Sequence, residues 1–292
     1  MAANGEDGVH LLVFGRGYSG TAVAREALGR GVRVSATSRE PGRLEVPAGM
    51  EVVRFGLALP AGVTHVLATA APEGGAPGEE GDPVLAVYGR ALAESAALRW
   101  AGYLSTTGVY GDRGGGWVDE GTAVAPGNAR SVRRLAAEQA WGALAGRVAV
   151  DLFRVAGIYG PSRSALDEVR AGRVLRVLKP GHAFGRIHRD DIAGAVLAAA
   201  MQARPAGVRV LHLADDEPAE SAAVIEEAAR LLGVPVPAAV DYAEAESGMS
   251  AMARSFWAEN RRVASARTQD LLGYRWRYPS FREGLRAILA EG

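Results

Sequence analysis

Gly15, Gly17 and Gly20 in "LLVFGRGYSG" end an apolar run at the spacing G-x-G-x-x-G. Between a strand and a helix, the first such glycine makes a tight turn, the second lets the backbone approach a pyrophosphate, and the third lets helix and strand pack closely. The helix that follows points its unpaired N–H groups at the phosphates. Gly15, Gly17, Tyr18, Ser19 and Gly20 are therefore expected to hold a dinucleotide. The next strand ends in "ATSRE". Ser38 stands where an NAD-preferring site carries a carboxylate, and Arg39 follows, so a 2′-phosphate meets a hydroxyl and a guanidinium. NADP is the expected cofactor and NAD the less favoured one. Glu40 is the competing reading, because a small shift in the strand end would put an acid at the ribose.

Two further groupings carry chemistry. His188 beside Asp190 and Asp191 can be an acid/base or metal pair; the preferred reading is a helix N-cap from one of the two aspartates, with His188 at a lobe junction. Asn260, Arg261 and Arg262 in "ENRRVASAR" can clamp an anion or lie on a solvated face. No clustered ligand spacing, no cysteine and no G-x-S-x-G occurs, so neither a metal nor a hydrolase nucleophile is expected.

These residues need a scaffold, and strand and helix signals alternate along the chain. "VHLLVFG", "VRVSATS", "THVLATAA", "LRWAGYLST", "RVAVDLFRVAG" and "RVLHLA" read as strands, while "SGTAVAREALGRG" and "ARSVRRLAAEQAWGALA" read as helices. The economical arrangement is a Rossmann-type doubly wound α/β fold with a mostly parallel sheet and a small C-terminal substrate lobe. We expect a dinucleotide-binding core over 9–160, a lobe insertion over 161–182, a return to the core over 183–215, and the lobe itself over 216–292. The segment "APEGGAPGEEGDP" reads either as a loop over the ligand or as a solvated surface loop. The first eight residues read as a tail.

Across 292 residues, 33 basic residues balance 33 acidic ones. That removes the electrostatic case for a nucleic-acid or anionic-membrane partner and leaves a small molecule. No apolar run approaches the ~18 residues of a membrane span, and the start lacks a signal-peptide pattern, so a cytoplasmic protein, monomeric or homodimeric, is expected.

Further along, "YLSTTGVYGD", "FRVAGIYGP", "RIHRDDIAGAVLAA" and "LLGYRWRYPSFREGL" occur in order. With the glycine turn they make the whole chain resemble the extended short-chain dehydrogenase/reductase superfamily, whose members include nucleotide-sugar epimerases and dehydratases. The resemblance implies that Thr106 is the catalytic hydroxyl at the nicotinamide; a strand-end hydroxyl satisfying backbone is the plainer role. It places Ala70 and Arg134 among the cofactor contacts and offers Tyr110 as a further hydroxyl, although a Tyr there usually packs at the strand end. The superfamily's acid/base is a Tyr four residues before a Lys on one helix face, the Lys charge lowering the Tyr pKa. Matching the shared "LAAEQ" ending puts Arg130 in the Tyr place and Arg134 in the Lys place. No tyrosine lies between Tyr110 and Tyr159, and Lys179 is the sole lysine, so no shift of register restores the pair.

A guanidinium cannot shuttle protons near neutral pH but anchors carboxylate or phosphate. Arg130 is thus expected to hold a substrate anion, or an internal acid such as Asp119 or Glu120. The chain is identified as an atypical member of the superfamily. Two functions stay open: an NADP-dependent oxidoreductase, epimerase or dehydratase acting on a small polar substrate, and a redox-silent NADP-binding sensor or scaffold.

Overall fold

The computed structural model describes residues 8–42, 46–72, 81–172 and 174–291. The first half contains β1 (His10–Phe14), α1 (Tyr18–Gly29), β2 (Arg33–Ser38), β3 (Glu51–Arg54), β4 (His65–Ala68), α2 (Pro83–Glu94), β5 (Trp100–Thr106), β6 (Trp117–Val118), α3 (Ala129–Gly142), β7 (Ala149–Val155) and β8 (Gly157–Tyr159). The second half contains α4 (Ala165–Arg170), β9 (Arg176–Leu178), β10 (Arg186–His188), α5 (Arg189–Ala200), β11 (Gly207–Leu213), α6 (Ser221–Leu232), β12 (Ala239–Asp241), α7 (Tyr242–Ala245), α8 (Ala251–Trp257), β13 (Arg262–Val263), α9 (Ala266–Leu272) and α10 (Phe281–Glu291).

Seven strands form one sheet in the order β11-β7-β5-β4-β1-β2-β3, and every pairing in it is parallel. Strands covered on both faces are mostly apolar, and β1 and β7 are buried at every position, with the polar members His10, Asp151 and Arg154 each hydrogen-bonded. One face packs Val13, Val23, Ala27, Phe153 and Val196 between the sheet and helices α1 and α5. The other packs Leu12, Phe14, Tyr88, Tyr103 and Trp141 against α2 and α3. Strand order reverses between β1 and β4, the position where open α/β sheets hold their ligands. In register, Thr106 lies opposite Val155, and Val155 opposite Leu213, so these residues share the carboxyl edge of the sheet.

α4, α6 and α10 close a separate apolar cluster around Leu166, Val224, Phe281 and Leu285. Parallel two-stranded ribbons β8–β10, β9–β12 and β6–β13 connect sequence-distant segments. β3 escaped the sequence reading for a physical reason: it is a four-residue edge strand with charged ends and half-exposed valines, and it lacks an apolar signature. "APEGGAPGEEGDP" falls largely, and the N-terminal tail almost wholly, outside the described residues. No helix among the described residues is long and apolar enough to cross a membrane.

Candidate functional site

The glycine turn is built as a cradle. Gly15 has φ +106°, and a Cβ there would sit 2.7 Å from Thr69 Oγ1. A Cβ on Gly20 would meet the Gly15 carbonyl oxygen at 2.2 Å, whereas the space over Gly17 is open within 4 Å. Thr69 Oγ1 donates toward the Phe14 and Gly15 carbonyls at 3.1 and 3.2 Å, which locks the turn to the end of β4 beside Ala70. The turn is close-packed where it faces the protein and empty where a pyrophosphate would approach. The residues present therefore fit a dinucleotide.

The Tyr18 side chain does not stay at this turn. Its hydroxyl donates to the Pro161 carbonyl at 2.9 Å, and its ring lies between Arg189 and Arg163, so only its backbone faces the cradle. β2 ends at Ser38, whose Oγ accepts the Glu40 backbone N–H at 3.2 Å, and the Arg39 side chain is exposed. Arg16, between the first two glycines, is 7% exposed and donates to the Pro41 carbonyl at 3.2 Å. A second guanidinium thus reaches the loop after β2. Sequence reasoning passed over it, although its place inside the motif was the available signal.

Thr106 ends β5, and its Oγ1 accepts the Gly108 N–H at 3.1 Å, capping a short turn. It opens into a cleft of about 460 Å³ shared with Asn128, Arg130, Ser131, Arg186 and Phe256. A larger cavity of about 830 Å³ runs along α1 and α5, but its lining includes none of the residues around Thr106. Asn128 caps α3 by accepting the Ser131 N–H at 2.9 Å and donates to Glu259 at 2.9 Å, tying the cleft floor to the C-terminal segment. Its place as Asn before a helical run was a readable capping signal; Glu259 gave none.

Arg134 is anchored to the end of β5. Its Nη1 donates to the Leu104 carbonyl at 2.8 Å and to the Tyr103 hydroxyl at 3.1 Å, just past the point where β4 stops pairing with β5. Burial pushes the Tyr103 phenol up to about 12, so it stays protonated. Arg130 is exposed in the first turn of α3, its guanidinium carbon 4.6 Å above the Phe256 ring. It forms no ion pair with Asp119 or Glu120: Asp119 accepts from Thr122, and Glu120 accepts from Thr268. That expected internal partner is corrected to an aromatic face.

Tyr110 is fully buried and does not line the cleft. Its hydroxyl receives Arg154 Nη1 at 2.7 Å and lies 2.6 Å from His212 Nε2 and 3.0 Å from the Asp119 carbonyl. Because His212 Nδ1 faces the Ala264 carbonyl at 2.7 Å, it is the donor there, and Nε2 accepts the Tyr110 proton. Arg154 in turn forks onto Glu138, which also accepts Ser105 Oγ at 2.6 Å. The tyrosine therefore braces the floor of the site and is withdrawn as a candidate catalytic hydroxyl.

The remaining groupings resolve differently from expectation. His188 itself caps α5, accepting the Asp190 N–H, and burial lowers its pKa to about 4, so it is neutral at pH 7. Asp191 is buried and accepts from the Tyr274 hydroxyl and the Arg277 and Tyr278 backbone, fastening the chain's last segment to α5. Asn260 and Arg262 bond the loop at 111–116, and Arg261 pairs with Glu259 at 2.7 Å while donating to the Gly111 carbonyl. Their donors serve the fold rather than an open anion clamp. Asp215, just beyond β11, was not foreseen. It is 1% exposed, neither carboxyl oxygen has a hydrogen-bond partner among the described residues, and burial raises its pKa to about 8 against the pull of Arg186.

No family model matches the chain. A solved structure of a functionally unknown conserved protein from Silicibacter pomeroyi is 42% identical, with 97% of this chain and 99% of that one covered at a TM-score of 0.88. The human epimerase family protein SDR39U1 with NADPH matches at 18% identity, 97% and 100% coverage and a TM-score of 0.75. UDP-glucuronic acid 4-epimerase from Bacillus cereus with NAD matches at 17%, 97% and 96%, and 0.76. These last two share the fold. A curated relative from Streptomyces, 3-diazoavenalumate denitrifying reductase, is 34% identical over 169 residues, 55% of this chain; the match spans 53% of that protein, about half its length.

Sheet order and glycine turn define a Rossmann-type α/β fold, consistent with the resemblance to the extended short-chain dehydrogenase/reductases. The chain belongs to the same family as the Silicibacter pomeroyi protein.

Proposed function

We propose that this protein is an NADP-dependent reductase acting on a small anionic substrate whose hydride acceptor needs no proton from a side chain. The observation that carries the reading is the composition of the cleft: it holds the Thr106 hydroxyl and, where the phenol would be, the Arg130 guanidinium, while Tyr110 lies outside it with its hydroxyl engaged by Arg154 and His212. A guanidinium with a pKa above ~12 orients and charges a site but does not titrate in it.

Gly15, Gly17, Gly20 and the backbone of Tyr18 and Ser19 would hold the pyrophosphate, with Ala70 beside the turn. Ser38, Arg39 and Arg16 would meet a 2′-phosphate. Bound there, the reduced nicotinamide would supply a hydride, and a diazonium acceptor that takes a hydride leaves as dinitrogen and an arene with charge balanced and no proton required. The name of the Streptomyces relative, a denitrifying reductase of a diazo acid, supports an acceptor of that electrophilic kind. Thr106 would orient the acceptor through its hydroxyl, and Arg134, bonded to the Leu104 carbonyl at the end of β5, would bring its charge to the cofactor ribose. The redox-silent alternative retains the cofactor residues and lacks turnover.

Calorimetry with NADPH and NADH on the wild type, R39A and R16A tests the cofactor assignment. NADPH should bind more tightly, and each substitution should remove about tenfold or more of that preference, ~1.4 kcal/mol. Unchanged preference in both variants would overturn the phosphate assignment.

A further inference from the structure

The cleft walls also define what the substrate looks like. Three arginines line it. Arg186 donates to the Phe184 and Ala219 carbonyls at 2.9 Å each, and Arg261 is neutralised by Glu259. Arg130 differs from Arg261 in that no acidic side chain among the described residues pairs with it, and its contact is the Phe256 ring. Arg186 also lacks an ion pair among the described residues, but its Nη1 is spent on two carbonyls, so Arg130 is the exposed arginine in the cleft whose N–H groups stay open to an anion.

Next to this charge the wall is aromatic. Trp257 is fixed from several sides: edge-on to Phe184 at 4.9 Å, stacked on His182 at 5.4 Å, and with its carbonyl accepting Lys179 Nζ at 2.6 Å. Phe256, its neighbour on α8, is 48% exposed and touches the cleft with its ring. A guanidinium lying over a ring face keeps its in-plane N–H groups directed outward, in the fork that matches a carboxylate. A flat apolar group attached to that carboxylate then lies against Phe256, Phe184 and Trp257, where offset or edge contacts add to the burial of its surface.

We propose that the site selects planar aromatic or conjugated monocarboxylates over nucleotide sugars, with Arg130 taking the carboxylate and Phe256 the ring. This deepens the reductase reading and rests on it for the reaction, but it is decided by binding alone. Calorimetry on the full chain, using benzoate, cinnamate, cyclohexanecarboxylate and UDP-glucose as probes, separates the two. The expected result is saturable cinnamate binding, weakened about tenfold or more in R130Q and in F256A, with cyclohexanecarboxylate weaker than benzoate and UDP-glucose failing to displace cinnamate. NADP binding should be the same in R130Q and wild type, which shows that the variant is folded. Cinnamate affinity unchanged in R130Q, or UDP-glucose displacing cinnamate, would overturn the proposal. Loss of NADP binding in the wild type would instead strike the cofactor assignment and leave the carboxylate result standing.

Discussion

Replacing Asp215 with Asn should change how stability depends on pH. The acid is 1% exposed with no hydrogen-bond partner among the described residues, and burial lifts its pKa from 3.8 to about 8. The folded state keeps the proton over a range in which the unfolded chain has released it, so stability is full below about pH 4 and declines as pH rises through 8. The slope is about 1.4 kcal/mol per pH unit, so between pH 5 and pH 8 the wild type should lose about 4 kcal/mol relative to D215N. At roughly 2–4 °C per kcal/mol for a chain of this size, that is on the order of 10 °C in melting temperature. Asn leaves an amide in the same cavity, which offsets the curve by a constant without altering its slope. Urea or thermal midpoints of both proteins at half-unit pH steps measure the difference, in which other titrating groups cancel. A gap that stays flat within 1 kcal/mol from pH 5 to pH 8 would refute the reasoning.

The remaining structural predictions are local. G20A drives a Cβ into the Gly15 carbonyl oxygen, a backbone atom that cannot swing away; NADPH affinity measured by calorimetry should fall at least about tenfold, and retained affinity would mean the turn is looser than drawn. E138Q removes the charge that neutralises the 6%-exposed Arg154; unfolding by urea should show a loss of about 3–5 kcal/mol, and a loss under ~1 kcal/mol would show that Tyr110 and solvent suffice.

Much of this molecule is readable from residue patterns because a parallel sheet imposes strong ones. β1, β5 and β7 are buried and mostly apolar, and the glycine spacing follows from a turn in which a Cβ on Gly20 has no space. The absence of a phenol near Arg130 is likewise plain in the sequence. What escaped depends on side-chain direction. Nothing in "GRGYSG" says that Arg16 reaches Pro41, and nothing near Arg130 says that Phe256, 126 residues on, will lie beneath it. Asp119 and Glu120 looked equally suitable as partners for Arg130 until their own hydroxyl donors, Thr122 and Thr268, were located. His188 was read as the guest of an aspartate cap, yet its buried ring is the cap. Such pairings are set by tertiary packing, for which short-range patterns carry no signal.

The central claim is that the cleft still transfers hydride without the Tyr-Lys pair. It is tested most directly by following NADPH absorbance at 340 nm with small electrophilic carboxylates, aryl diazonium acids among them, for the wild type and T106A. Sustained turnover by the wild type is expected, with a fall of about a hundredfold or more in T106A, ~2.7 kcal/mol of lost transition-state stabilisation. NADPH that binds but is never consumed by any acceptor would contradict it and leave a redox-silent binder.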